Sequence, residues 1–259
     1  MKRPAGLSRE TLARLKALAA EHGLSEGAVA ALSAVLDLQA GDPAASTTVR
    51  DPVVAVDRHV ADSLSALALE SVRGASRIAD IGSGAGWPGL ALAAALPDAH
   101  VSLVESASRH CRYLERAVEA AGLANASVVH ARAEDWPAGV GAHDLVTARA
   151  LAALPVLCEY AAPLLADGGR LVAWKGAVSA GELADGLAAA AVLGLEPAEP
   201  VRVVPYAGAR DHTLHVFCKI APTPDRFPRR PGMAVKRPLE AQPGSSASGG
   251  HFLGPYAVE

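Results

Sequence analysis

The stretch that most constrains the fold is residues 77–92, where a short apolar segment is followed by glycines and a second apolar run. Residues 78–81 predict a buried strand, and residues 90–96 predict a helix with Pro88 in its first turn. The glycines between them are Gly82, Gly84, Gly86 and Gly89. They permit a tight turn and let a ligand approach the backbone. Because the N–H groups at the helix start would face that ligand, the stretch predicts a nucleotide-binding corner.

Two kinds of ligand fit the glycine spacing. The first three glycines match the loop of S-adenosylmethionine (SAM) methyltransferases, whereas the last three match the dinucleotide fingerprint. Glu105, at the end of the next predicted strand, suits ribose hydroxyls in either case. Asp80 favours SAM, because a carboxylate before the first glycine suits a cationic amino-acid group and would repel a pyrophosphate. A glycine turn without a ligand is the third interpretation.

From residue 77 onward, predicted strands and helices alternate, which indicates an α/β fold with a mostly parallel, seven-stranded sheet and helices on both faces. The predicted strands are residues 78–81, 101–105, 127–130, 144–147 and 170–176, followed by a closing hairpin of 201–204 and 213–220. The intervening helices are predicted at residues 90–96, 107–121, 152–165 and 179–193.

Helical patterns precede this alternating region. Residues 8–38 predict two amphipathic helices capped by Ser8 and Ser25, and Asp51 opens a third that runs to about residue 69. We therefore divide the chain into three parts: a helical extension at residues 1–70, a SAM-binding domain at 71–221, and a tail at 222–259 that is basic and proline-rich and then disordered.

Composition limits the function classes. The net charge of −3 gives no global sign of nucleic-acid binding, so any RNA contact depends on local basic clusters. Cys111, Cys158 and Cys218 lack metal-site spacing and lie in apolar contexts, which predicts free buried thiols, no metal and a reducing compartment. No segment matches a signal peptide or a membrane span, so a cytoplasmic protein without membrane partners is expected.

In an open parallel sheet the ligand lies across the carboxyl ends of the strands. Ala133 and Glu134 follow the third predicted strand and suit an adenine edge, and Arg149, after the fourth, points toward the methyl-donor end, where it could hold a carboxylate or a phosphate. Lys175 ends the fifth strand. For each charged residue the alternative is a surface salt bridge. His59 is a possible base, although a lone histidine on an apolar helix face is more often structural.

Two motifs that are missing from the sequence narrow the choice of methylation reaction. Enzymes that methylate exocyclic amines carry an Asn/Asp-Pro-Pro-aromatic motif after the fourth strand, but here residues 147–151 are Thr-Ala-Arg-Ala-Leu. Pyrimidine C5 methylation needs a catalytic thiolate, and no cysteine lies in an electropositive loop. Both reactions are therefore disfavoured.

The tail contains the strongest local positive charge. In residues 222–239, five basic residues against one acidic residue, Asp225, give a net charge of +4, and the prolines argue against regular structure. The basic residues are Arg226, Arg229, Arg230, Lys236 and Arg237. They predict an RNA contact, with a solvated tail as the alternative.

Several of these segments resemble the RsmG (GidB) family, ribosomal RNA small-subunit methyltransferase G. The resembling segments are residues 78–92 with Trp87-Pro88-Gly89, residues 58–64 (Arg-His-Val-Ala-Asp-Ser-Leu), residues 149–154 (Arg-Ala-Leu-Ala-Ala-Leu), Lys175-Gly176, and residues 227–232 with Lys236 and Pro238-Leu239. The match covers roughly residues 10–239. The Arg-His-x-x-Asp-Ser segment and the Trp-Pro-Gly variant are specific, whereas the glycine loop alone is not.

The resemblance implies a Rossmann-like class I methyltransferase that uses SAM to methylate N7 of a guanine in 16S ribosomal RNA. The substrate would be the small-subunit RNA or the 30S particle and not DNA, and we expect a monomer. It implies SAM contacts from Gly82, Trp87, Ala133, Glu134 and Arg149. With it we expect Arg149 and His59 to position the reacting groups, and Arg58 and Lys175 to contact RNA.

The chain departs from the family pattern between its second and third helices. The family usually has Trp-Asn and then Asn-Leu-Thr there, whereas this chain has Ala40-Gly41 and Ala45-Ser46-Thr47, so only the threonine agrees. This departure motivates a second hypothesis, a ribosome-associated binding protein with a degenerate SAM site. The net acidic charge suggests a third, a SAM methyltransferase of small molecules.

Overall fold

The computed structural model describes residues 6–241. Most of the segment predicted to be disordered, residues 242–259, lies outside the described residues. The chain forms two compact units, one of Met1–Arg132 with Val204–Ala209 and the other of Ala133–Val203 with Arg210–Glu259. The predicted division at residues 70 and 221 stays a prediction.

The first unit contains the glycine-rich stretch. Its helices are α1 (Arg9–Glu21), α2 (Glu26–Gly41), α3 (Pro52–Ala55), α4 (Asp62–Leu64), α5 (Glu70–Arg73), α6 (Gly89–Ala95) and α7 (Ser108–Ala121), and its strands are β1 (Arg77–Ile81), β2 (His100–Glu105) and β3 (Ala126–His130). The strand order is β3-β2-β1, all parallel, with α6 and α7 as the connections. Helix α2 packs against α6 and α7. Strands β1 and β2 are buried at every position after the first, which suits parallel strands between packed layers.

The second unit continues the alternation. Its strands are β4 (His143–Arg149), β5 (Leu165–Lys175), β6 (Leu195–Pro197), β7 (Val201–Val203) and β8 (His212–Lys219), and its helices are α8 (Leu154–Ala161), α9 (Ala180–Leu193) and α10 (Met233–Lys236). Strands β4 and β5 are parallel, and β8 runs antiparallel to β5, β6 and β7. The α/β Rossmann-like class is confirmed. Within residues 6–241 there are eight strands, one more than predicted, because the three-residue β6 pairs with β8.

The predicted helix starts are confirmed. Ser8 accepts a hydrogen bond from Thr11 N–H and Ser25 accepts one from Ala28 N–H, each at 3.1 Å. Asp51 accepts one at 2.9 Å from the N–H of the second residue of α3. These side chains satisfy backbone donors that have no partner inside the helix.

The prediction that the third helix is a continuous α-helix is wrong. After α3 the chain forms a π-helical turn at Val56–Ala61 and, after α4, a 3-10 turn at Ser65–Ala68. Ser63 donates its hydroxyl proton to the carbonyl of His59, and Ser65 donates to that of Asp62, both at 2.6 Å. Such hydroxyl groups compete with backbone N–H groups for the carbonyl oxygens of the helix, which accounts for its irregular hydrogen-bond pattern.

The tail is more regular than its prolines predict. Residues 233–236 form the single turn α10, so the expectation of no regular structure is wrong there. Gly232 precedes this turn with φ 81°, a left-handed conformation that glycine adopts readily. Phe227 is 8% exposed and Ala234 is 3% exposed, which shows that this part of the tail packs against the protein.

We expect Gly89→Ala to destabilise the first unit. A Cβ on Gly89 would lie 2.3 Å from Leu103 Cδ2 and 2.8 Å from Asp80 Oδ2, so the side chains would have to move. The expected loss in unfolding free energy, measured by urea denaturation, is about 1–3 kcal/mol. Gly41→Ala is the control, because a Cβ there meets nothing within 4 Å. Equal stability of the two variants would contradict this packing constraint.

Candidate functional site

The glycine loop has two parts with different surroundings. Gly82, Gly84 and Gly86 have φ values of 67°, 53° and 92°, which favour glycine. A Cβ on Gly84 would meet nothing nearer than Ser46 Cβ at 3.6 Å, whereas one on Gly86 would lie 2.2 Å from Leu90 Cδ1. A Cβ on Gly84 would therefore fit in van der Waals contact with Ser46 without a clash, whereas Gly86 is required for packing against α6.

Glu105 is joined directly to this loop. Its Oε2 accepts a hydrogen bond from Gly84 N–H at 3.0 Å, and its Oε1 accepts one from Ala107 N–H at 2.8 Å. His110 Nδ1 lies 3.8 Å from Oε2. Glu105 is 8% exposed, and two hydrogen bonds leave further lone pairs on a carboxylate. The structure thus brings together two residues that the sequence predicted for one site, although contact with a ribose stays a prediction.

Asp80 lies beneath the same loop. It is 1% exposed, and its Oδ2 accepts a hydrogen bond of 3.3 Å from Gly89 N–H at the start of α6. A carboxylate at a helix N-terminus is favoured because unpaired N–H groups and the positive end of the helix dipole meet there. This contact links the end of β1 to α6, and the predicted interaction with a cationic ligand group stays a prediction.

Trp87 and His59 stack on one another. Their ring centroids are 5.7 Å apart with an interplanar angle of 14°, and both residues are buried. Trp87 Nε1–H donates to Gln39 Oε1 at 2.6 Å, and His59 Nε2 lies 3.0 Å from Thr47 Oγ1. Trp87 and His59 were predicted as site residues, and Thr47 agrees with the family pattern. Gln39 was not predicted as part of the site.

The loop that departs from the family pattern, residues 42–50, is held by arginines. Arg50 donates to the carbonyls of Gln39 at 3.1 Å and Ala45 at 2.9 Å, and Arg116 pairs with Asp42 at 2.5 Å. Desolvation is the largest single effect and raises the pKa of Asp42, but hydrogen bonds from Arg116 and Ala44 N–H, together with the charges of Arg116 and Arg50, bring that pKa below its usual value. Because Ser46 is the side chain nearest to a Cβ built on Gly84, at 3.6 Å, this loop borders the candidate site.

In the second unit, Glu134 contacts the tail. It lies in the 3-10 turn Ala133–Asp135, and its Oε1 accepts a hydrogen bond from Gly232 N–H at 3.0 Å. Arg149 is the last residue of β4 and is half-buried. It precedes Ala150, whose φ of 52° is uncommon for a residue other than glycine. Such outliers are concentrated at functional sites.

Lys175 has an internal partner. Its Nζ lies 2.6 Å from Glu182 Oε1 and donates to the carbonyl of Ala152 at 3.2 Å, while Leu154 N–H donates to the same Glu182 oxygen at 3.1 Å. Burial is the largest single effect and raises the pKa of Glu182, but the hydrogen bonds from Lys175 and Leu154 N–H, together with the charge of Lys175, bring that pKa below its usual value. The pair therefore anchors the loop after Arg149, and an RNA contact of Lys175 stays a prediction.

The predicted RNA-contacting residues of the tail have different environments. Arg229 forms a bidentate ion pair with Glu159, with Nε–Oε1 and Nη2–Oε2 distances of 2.7 and 2.5 Å, and Glu159 is 2% exposed. The other predicted cations are exposed: Arg58, Arg226, Arg230, Lys236 and Arg237. Arg229 therefore has a structural partner, and the five exposed cations lie at the surface.

Comparison with known proteins assigns the chain to a family. The family model described as GidB, rRNA small subunit methyltransferase G, matches residues 38–206. The chain belongs to the GidB family. A Rubrobacter xylanophilus relative named ribosomal RNA small subunit methyltransferase G is 44% identical over 197 residues, covering 73% of this chain and 75% of the relative. A Chloroflexus aggregans relative of the same name is 41% identical over 198 residues, covering 74% and 82%.

The structural comparison is weaker than the sequence comparison. A solved structure titled as a predicted O-methyltransferase from Agrobacterium tumefaciens has a TM-score of 0.48 and 24% identity, covering 62% of this chain and 80% of that one. A likeness at this level carries no argument about function. The GidB assignment rests on the sequence.

Membership of the GidB methyltransferase family implies a methyl donor. The glycine loop fits one, because glycines at positive φ let a ligand approach the backbone and the Glu105 carboxylate beside them keeps unused lone pairs. Among residues 6–241, no group of three or more His, Cys, Asp or Glu side chains is arranged to hold a metal ion. In that same part of the chain, no helix is long and apolar enough to cross a membrane.

We expect Glu105→Gln to destabilise the loop of this GidB-family protein. Glutamine keeps one acceptor oxygen, so one of the two backbone N–H groups now bound by Glu105 loses its partner. The expected decrease in unfolding free energy, measured by urea denaturation, is about 1–3 kcal/mol. Glu119→Gln, an exposed acid on α7, is the matched control. If Glu105→Gln is as stable as Glu119→Gln, the two hydrogen bonds contribute little to the unfolding free energy.

Proposed function

We propose that this protein transfers a methyl group from SAM to N7 of a guanine in small-subunit ribosomal RNA. The carrying observation is the glycine loop, in which Gly84 N–H donates to the buried carboxylate of Glu105, in a chain that belongs to the GidB family. The relatives named ribosomal RNA small subunit methyltransferase G support the choice of RNA.

The residues around the loop favour SAM as the donor. SAM supplies an electrophilic methyl group on a sulfonium ion. Glu105 would bind the ribose hydroxyls, Ala133 and Glu134 the adenine, and Arg149 the methyl-donor end or a phosphate. Asp80 disfavours a dinucleotide because a buried carboxylate at the strand end would repel a pyrophosphate.

Methylation at guanine N7 needs no catalytic base. The N7 lone pair lies in the ring plane, outside the aromatic system, and carries no proton. His59 is already engaged by Trp87 and Thr47, which supports a positioning role for it. Cys158 is fully buried, and burial raises the pKa of its thiol, which disfavours thiolate chemistry.

Catalysis would therefore come from holding the guanine and the methyl group in line, in a site that excludes water. The base has to leave its stack to enter such a site, so a loop or open region of folded RNA is the expected target. The exposed cations Arg58, Arg226, Arg230, Lys236 and Arg237 would bind phosphates, with an affinity that falls as salt increases.

The donor assignment predicts that Gly84→Val abolishes SAM binding in calorimetry, because a branched side chain would occupy the place proposed for the ligand. Gly122→Val is the matched control. Its φ of 63° imposes a similar backbone strain, and a Cβ there meets nothing within 4 Å.

Glu105→Gln should weaken SAM binding about ten-fold or more, as expected for the loss of a charge-assisted hydrogen bond. Binding of NAD without SAM would refute the donor assignment.

The reaction is tested on small ribosomal subunits from a strain that lacks the enzyme. Incubation with protein and SAM should create one site at which borohydride and aniline cleave the RNA, the signature of N7-methylguanine. His59→Ala should lower the rate and leave the shape of the pH profile unchanged, because His59 positions Trp87 and removes no proton. Methylation of an exocyclic amine, or loss of the basic limb of the profile, would contradict the base-free mechanism. SAM binding without methylation would favour the degenerate binding protein.

A further inference from the structure

An ion pair between a partly exposed arginine and a buried glutamate holds the tail within the second unit. Arg229 lies 70 residues from Glu159 in sequence, yet its guanidinium makes two parallel hydrogen bonds to that carboxylate. Such bidentate pairs fix orientation as well as distance. Glu159 is 2% exposed, and a carboxylate this deeply buried needs its partner.

Apolar and aromatic contacts surround this ion pair. Phe227 is 8% exposed, and the guanidinium carbons of Arg226 and Arg229 lie 5.2 and 5.9 Å from its ring centroid. Helix α10 packs against α8, the helix that carries Glu159, and buries Ala234. Residues 227–236 therefore have a defined docked position.

The docked segment reaches the turn that the sequence predicts for adenine. Gly232 lies three residues beyond Arg229, and its N–H donates to Glu134 Oε1 at 3.0 Å, across 98 residues of sequence. Glu134 belongs to a three-residue 3-10 turn, Ala133–Asp135, in which no residue is buried. The turn is partly exposed and contacts α8, and short turns without a buried residue have little packing of their own to hold them. The hydrogen bond from the tail supplies an anchor.

We propose that residues 227–236 form a latch that positions the Ala133–Asp135 turn for the methyl donor, with Arg229 and Glu159 as positioning residues. The inference rests on the proposed function, because it assigns the adenine end of the donor to this turn. This proposal divides the basic residues of the tail into two kinds. Arg229 acts on donor binding through Glu159 and Gly232, whereas exposed cations such as Arg230 act on RNA.

Arg229→Leu and Arg230→Leu test this division, since they remove the same charge one residue apart. Donor binding is measured by calorimetry with SAM and its demethylated product, and RNA binding is measured over a range of salt concentrations. Arg229→Leu should weaken donor binding about five-fold or more, and saturating SAM should restore its rate. Arg230→Leu should leave donor binding unchanged and reduce the salt slope of RNA binding by about one.

A double variant separates the latch from general stability. Arg229→Leu alone leaves the Glu159 carboxylate buried without a partner, which is destabilising. Glu159→Leu with Arg229→Leu removes both charges, so the melting temperature should recover while donor binding stays weak. If donor binding recovers together with stability, the latch is refuted. The double variant also keeps the test decisive if Arg229→Leu fails to fold.

The outcomes distinguish the latch from the proposed function. If the unmodified protein does not bind SAM, the proposed function fails. If it binds SAM and a folded Arg229→Leu binds equally well, only the latch fails. If Arg229→Leu alters RNA affinity and its salt slope but not donor binding, Arg229 is an RNA contact and the latch is again refuted.

Discussion

The hydrogen bonds accepted by Glu105 hold the candidate site together. One carboxylate oxygen binds Gly84 N–H and the other binds Ala107 N–H, so one side chain joins the loop after β1 to the start of α7. Burying a carboxylate is costly unless hydrogen bonds replace its lost hydration, and these two backbone donors do so. The same side chain that we propose for the ribose therefore also shapes the loop beside it.

Residues of the amino-terminal helical region also hold the glycine loop through contacts with Trp87 and His59. Gln39 on α2 receives the hydrogen bond of Trp87, and Thr47 contacts the His59 ring that stacks on the same indole. Stacked rings with satisfied polar ends are rigid, because moving one member breaks both packing and hydrogen bonds. Ser46, next to Thr47 and within the segment that departs from the family pattern, is the side chain that a Cβ on Gly84 would contact, at 3.6 Å. The departure therefore falls beside the candidate donor site.

Charge alone was a poor guide to the role of individual basic residues. Lys175 and Arg229 lie in segments predicted to meet RNA, and both form short ion pairs with partly or fully buried glutamates. Arg226 and Arg230 lie in the same tail and are exposed. The difference is one of geometry: an arginine opposite a buried carboxylate is bound to the protein whether or not RNA is present. Net charge counts all of these residues alike.

Local sequence patterns determined much of this fold. The strand-glycine-helix corner, the capping residues Ser8 and Ser25, and the alternation of strands and helices depend on contacts within a few residues, so they were predictable. The proximity of Glu105 to the glycine loop followed from its place at the end of the adjacent parallel strand. Tertiary structure alone decided the π-helical turn around His59 and the partners of Arg229 and Gly232, which lie 70 and 98 residues away. Many side chains could accept hydrogen bonds from the Arg229 guanidinium or from Gly232 N–H, and only the packing of distant elements selects one of them.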